Sequence, residues 1–166
     1  MIVFQPASVP IKDSIFLSVS LFLMAELCPT RLDEYCKVLG ISFFDVSLKC
    51  VFCNCKLSLQ DLASFVSKCL SLIWKNNECF ASCTLCLRLS ARYEREKYTQ
   101  CIVKGCMLET LTATPLCELI IRCKYCYRKL DYVEKIDCCV GDLPFSLVRS
   151  QWRNCCRLCR YENERA

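Results

Sequence analysis

The sequence predicts an α+β fold of two small cysteine-stapled modules, each with short helices and a small antiparallel sheet, joined by a linker helix. Three observations carry that reading. CVFCNCKL at 50–57 recurs as CKYCYRKL at 123–130, and CTLC at 83–86 recurs as CRLC at 156–159, both at an offset of 73 residues. Nineteen cysteines in 166 residues are far above ordinary usage and point to a cross-linked or metal-held scaffold. The stretch between the cysteine pairs of each copy leaves room for one helix and one hairpin.

Taken in chain order, residues 1–23 read as an N-terminal extension, with Met24 as the working start. The apolar run Ile15–Ala25 is too short to span a bilayer. Its length suits a signal-peptide core, but Lys12 and Asp13 cancel and no small-x-small cleavage site follows. In an arm at 24–46, Thr30 with Asp33 reads as the capped start of a helix that Gly40 ends. The first module, 47–92, then holds a knuckle at Cys50, a helix over 59–66 and a hairpin turning at Asn76 and Asn77. Residues 87–104 contain no Gly or Pro and are rich in Arg, Glu, Lys and Tyr, so they read as a connecting helix. The linker region runs over 93–119, and Thr114 with Pro115 predicts a further helix running into Arg122. The second module, 120–161, repeats the plan with a helix near 131–136 and a hairpin with Gly141, Asp142 and Pro144 near its turns. A tail at 162–166 follows.

Each copy reads C-x2-C-x29-C-x2-C. A C-x2-C step sets two sulfurs on one tight turn, and two such knuckles supply four ligands to one tetrahedral ion. The candidate ligands are Cys50, Cys53, Cys83 and Cys86, then Cys123, Cys126, Cys156 and Cys159. Four thiolates with no open position predict structural zinc, two ions per chain. An iron–sulfur cluster is the alternative, and the long gap and the duplication favour zinc. The register excludes Cys55, whose counterpart is Arg128, and Cys155, which sits beside the in-register Cys156. Most of the eleven remaining cysteines read as small buried hydrophobes. Free thiols and zinc thiolates both predict a reducing compartment.

There is no histidine, which removes Ser-His-Asp and Cys-His catalysis and His-ligated catalytic zinc. Phosphate-binding glycine loops are also missing. An enzyme is not expected. The formal charge is +5; two four-thiolate zinc sites, each carrying −2, would bring it to about +1. Arg149, Arg153, Arg157, Arg160 and Arg165 against Glu162 and Glu164 leave a local excess of positive charge. This keeps a zinc-finger DNA-binding transcription regulator as the rival reading, with weak, salt-sensitive nucleic-acid binding.

The two modules, the 36-residue gap between Cys86 and Cys123, I-R-C at 121–123 and R-x-x-W at 149–152 resemble papillomavirus early protein six. The resemblance covers Met24 to Tyr161. It implies a non-enzymatic viral adaptor of the host nucleus and host cytoplasm that grips acidic L-x-x-L-L helices of host proteins. Those partners are a host ubiquitin-protein ligase or Mastermind-like coactivators, through which such proteins modulate host transcription, apoptosis and innate immunity. It further implies an apolar pocket of Phe52, Leu70, Ile73 and Leu87 with Arg122 as a basic clamp. Gln151 stands where ligase-binding members often carry arginine, which shifts the expectation toward the coactivators. Ser67 replaces an aromatic residue tied to self-association in some members. The final residues lack a Thr-x-Val terminus, so PDZ capture is not expected. No membrane association is expected.

Overall fold

The computed structural model describes residues 28–164. The extension at 1–23, the apolar run at 15–25 and Arg165 lie outside the described residues. Among the described residues no helix is long and apolar enough to cross a membrane.

The arm carries α1 (Leu32–Leu39). Its N-terminal cap falls on Arg31 and not on Thr30, and no side chain caps it. Asp33, expected as Thr30's partner, instead accepts from Arg31 Nε at 2.9 Å. Thr30 has another use, since its carbonyl accepts Leu72 N–H at 2.7 Å and ties the arm to the first module. Gly40 ends the helix at φ 63°, a left-handed conformation that glycine adopts without steric cost.

The first sheet is ordered β1 (Lys49–Cys50), β3 (Glu78–Ala81), β2 (Ile73–Lys75). β2 and β3 form the expected antiparallel hairpin, turning through Asn76 and Asn77 at φ 49° and 62°. β1 joins parallel to β3, so the sheet is mixed and not purely antiparallel. The second sheet is ordered β4 (Thr99–Val103), β6 (Phe145–Val148), β7 (Gln151–Asn154), β5 (Arg122–Cys123). Its three-strand part copies the first at offset 73, with Arg122 paired to Arg153 as Lys49 is to Phe80. Its hairpin turns at Arg149 and Ser150, φ 48° and 60°, the positions matching Asn76 and Asn77. Gly141 and Asp142 lie earlier, where the helix Tyr132–Val140 ends.

The helices are α2 (Leu59–Ser67), α3 (Thr84–Tyr98), α4 (Gly105–Thr112), α5 (Tyr132–Val140) and α6 (Arg157–Glu164). The helix expected over 87–104 stops at Tyr98. Thr99, Ile102 and Val103 are β-branched and find a partner strand in β6, with Val103 opposite Phe145. The helix expected after Pro115 does not form. Lys135 Nζ instead donates to the carbonyls of Leu116, Cys117 and Leu119 at 2.9, 3.1 and 2.7 Å, which satisfies backbone that a helix would have satisfied.

Two separate cores result. Leu32, Val46, Leu48, Leu62, Phe65 and Leu72 fill the first, so the arm packs with the first module. Leu108, Leu116, Ile121, Leu130 and Phe145 fill the second, which takes in the end of the linker region. Trp152 packs partly buried against that second core.

One repeated carboxylate locks each module. Asp61 completes a capping box with Ser58 at the start of α2, and its other oxygen accepts Thr84 N–H at 2.9 Å at the start of α3. Glu134 does the same at offset 73, boxing with Asp131 at α5 and accepting Arg157 N–H at 3.0 Å at α6. Each carboxylate therefore serves the N-termini of two helices, where a negative charge is favoured. Asp61→Ala removes both caps and is expected to cost about 1–3 kcal/mol. Urea unfolding of the metal-loaded protein measures it, and an unchanged midpoint would refute the double-cap role.

Candidate metal centres and the cleft between modules

The repeat brings the eight in-register cysteines into two groups. Within each group the four sulfurs lie within 4.8 Å of one another. Cys53 and Cys83 Sγ are 4.0 Å apart, and Cys126 and Cys156 Sγ are 3.8 Å apart. A tetrahedron with metal–sulfur bonds of about 2.3 Å has edges of about 3.8 Å, so the spacing already suits a central ion. Four soft donors with no oxygen or nitrogen among them fit zinc, and either cluster could hold a metal ion.

The clusters favour thiolate at Cys50 and Cys123, whereas burial raises the thiols of Cys83 and Cys86 and hydrogen bonds to Cys123 raise those of Cys126 and Cys159. Cys83 N–H points at Cys50 Sγ and Cys86 N–H at Cys83 Sγ, each at 3.4 Å. In the second cluster Tyr125 and Cys156 N–H both point at Cys123 Sγ at 3.4 Å. Burial opposes ionisation of Cys50, but N–H groups of Cys53, Cys83 and Phe52 outweigh it and bring the thiol down to about 6. Hydrogen bonds from Cys126, Cys155, Cys156 and Cys159 likewise push Cys123 below the ordinary thiol range. All four cysteines of the second cluster are buried, whereas Cys53 of the first is exposed. Cys55 and Cys155 stay outside the clusters, their thiols turned to the carbonyls of Cys53 and Cys156.

Polar contacts join the two modules. Arg122 donates Nη1 to Lys68 and Tyr127 carbonyls at 3.1 and 3.0 Å, and Nη2 to Cys69 carbonyl at 3.0 Å. Arg88 pairs with Glu162 at 2.9 Å. Arg95 reaches Lys124 carbonyl at 3.4 Å and stacks on Tyr125.

A cleft of about 620 Å³ opens between the modules along α3. Phe52, Leu70, Ile73 and Leu87 all line it, together with Phe65, Leu89, Tyr93 and Tyr127. Phe52, Leu89 and Tyr93 are 59%, 58% and 53% exposed, which concentrates uncovered apolar surface in one concavity. Arg122, expected as the clamp, does not line the cleft; its donors are spent on carbonyls at the junction. Gln151 does not line it either, and its Oε1 accepts from Arg153 Nη2 at 3.0 Å.

The cations in the cleft are Arg149 and Arg153, with Glu94 the one acid. Arg149 lies over the Tyr98 ring at 3.7 Å, and Arg153 over Tyr127 at 4.8 Å. Burial pulls Arg153 below the ordinary guanidinium range, against which Tyr127 and Glu94 favour its charge. In the sequence these arginines register as part of a basic tail, and Arg149 also as the first residue of R-x-x-W. The signal for Leu89 and Tyr93 was their i, i+4 spacing on an otherwise charged helix. In that tail Arg149 and Arg153 face Glu94 at 3.4 and 3.7 Å, and Arg157 pairs with Asp137 at 3.1 Å.

The fold and sites define a tandem protein with two four-cysteine groups, each able to hold a metal ion, and a largely apolar cleft between its modules. The family model of the viral Early Protein (E6) matches residues 50–159. Protein E6 of human papillomavirus type 60 is 50% identical over 131 residues, 79% of this chain and 92% of that protein. Protein E6 of type 48 is 49% identical over the same length, and that of human papillomavirus 65 is 46% identical over 136 residues. The chain belongs to the papillomavirus E6 family.

Removing a true ligand forfeits much of a metal's folding energy, whereas losing a spare thiol changes only packing. Protein purified under reducing conditions is expected to carry two metal equivalents. Cys53→Ser is expected to lose one and unfold the first module, while Cys55→Ser keeps both. Equal metal loss in the two variants, read by metal analysis, would overturn the register.

Proposed function

We propose that the chain is a non-enzymatic viral adaptor that grips an acidic L-x-x-L-L helix of a host protein in the cleft between its modules. Two structural zinc ions, one on Cys50, Cys53, Cys83 and Cys86 and one on Cys123, Cys126, Cys156 and Cys159, hold the two walls of that cleft in shape. Zinc supplies folding energy here, of about 10–16 kcal/mol in small peptide systems, and no chemistry.

The observation that carries the reading is the composition of the cleft. Its volume lies within the range of about 300–1,000 Å³ usual for ligand sites. Its lining is largely apolar, with charge confined to Glu94, Arg149 and Arg153. The leucines of L-x-x-L-L fall at i, i+3 and i+4, on one helix face, and suit a floor of Phe52, Leu70, Ile73 and Leu87. The acidic flank suits Arg149 and Arg153, so on this reading the basic clamp moves from Arg122 to these two.

The partners are host L-x-x-L-L proteins, either a Mastermind-like coactivator or a ubiquitin-protein ligase, met in the host nucleus and host cytoplasm. Gln151 stands outside the cleft and reaches it only through Arg153, whose Nη2 donates to its Oε1 at 3.0 Å; the lack of an arginine at that position favours the coactivator. Modulation of host transcription, apoptosis and innate immunity would follow from whichever partner is held.

The metal-loaded chain is expected to bind an acidic L-x-x-L-L peptide with a dissociation constant on the order of micromolar or below. Leu70→Glu, which sets an unpaired carboxylate in the apolar floor, is expected to abolish binding. Peptide titration of variants with full metal content decides it. Undiminished binding by Leu70→Glu would move the site elsewhere.

A further inference from the structure

The charged corner of the cleft is left with an excess of cation. Arg149 and Arg153 face a single carboxylate, Glu94 of α3, at 3.4 Å from Arg149 Nε and 3.7 Å from Arg153 Nη2. Both separations exceed the about 2.7–2.9 Å of a charge-assisted hydrogen bond, so Glu94 attracts the two cations without bonding to either. Arg153 is 6% exposed, and its buried Nη1 has no acceptor among the described residues. Tyr98 and Tyr127 stack on the two guanidinium groups and restrict their orientation. Arg149 is itself held at φ 48° in the hairpin turn, with Ser150 N–H anchored on Gln100 Oε1 at 3.0 Å. The corner therefore presents two pre-oriented cations and one acid of the chain's own, which Tyr127 also engages by a side-chain hydrogen bond.

We propose that Glu94 occupies the place of the ligand's acidic side chain and so sets how strongly the cleft selects acidic helices. The inference rests on the adaptor reading and goes further by naming the residue that governs its selectivity. An incoming carboxylate must share Arg149 and Arg153 with Glu94 and is repelled by it. The wild-type cleft accordingly distinguishes acidic from neutral helices only weakly. Glu94→Gln removes the internal competitor and leaves both cations to the ligand.

The experiment titrates two L-x-x-L-L peptides, one with a flanking Glu and one with Gln in its place, against metal-loaded wild type and Glu94→Gln at low salt. The preference for the acidic peptide is expected to rise about tenfold in Glu94→Gln. That gain is expected to vanish in Glu94→Gln/Arg149→Gln. An unchanged preference, equal weakening of both peptides, or a gain that survives without Arg149 overturns the role of Glu94 and leaves the adaptor reading standing. If neither peptide binds wild type, the adaptor reading falls and this inference falls with it. Should Glu94→Gln lose metal, Glu94→Asp keeps the charge but withdraws it from both arginines. It is then expected to show an intermediate preference, and no change in preference overturns the proposal.

Discussion

Everything in this molecule depends on four sulfurs meeting at a point, twice. Cys53 and Cys83 are thirty residues apart in sequence and 4.0 Å apart in space, and Cys126 and Cys156 repeat the arrangement at 3.8 Å. Each closure forces the chain between the knuckles into one helix and one hairpin, because little else fits in that length. Modules of this size cannot bury enough apolar surface to fold securely without a staple. The cores are correspondingly small, centred on Leu62 and Phe65 in one module and on Phe145 and Ile121 in the other.

Around each closure the same carboxylate recurs, Asp61 in the first module and Glu134 in the second. It couples the helix inside the module to the helix that leaves it. Through this link the position of α3 follows from the geometry of the first knuckle pair. Since α3 forms a wall of the cleft, the clusters and the cleft are mechanically one unit.

The junction divides its arginines by task. Arg122 is consumed in structure, its guanidinium shared by carbonyls of both modules. Arg149 and Arg153 are kept in the cleft by stacking on tyrosines, with only Glu94 to answer them. A buried or half-buried cation with loosely met charge is costly unless something completes it, and on the adaptor reading Glu94 and an acidic ligand compete for that place.

The cysteine register, read in the sequence, determined both clusters, the exclusion of Cys55 and Cys155, and the duplicated helix-and-hairpin plan. The register is local and periodic, so spacing alone carries it. Asp61 and Glu134 also fall at that offset, although the sequence does not say what they do. The two Asn residues at 76 and 77 announced the first turn, whereas Arg149 and Ser150 have no such preference and turn only because their surroundings hold them. Tertiary structure alone decided that α3 ends at Tyr98, because the free edge of β6 competes for Thr99–Val103 more strongly than helix propensity holds them. It decided as well that 115–120 is held by Lys135 and not by helical hydrogen bonds. The division between Arg122 and the pair Arg149 and Arg153 belongs there too. All three are arginines on strands or turns of one sheet, and only the packing of one module on the other settles which charge meets a carbonyl and which is left facing the cleft.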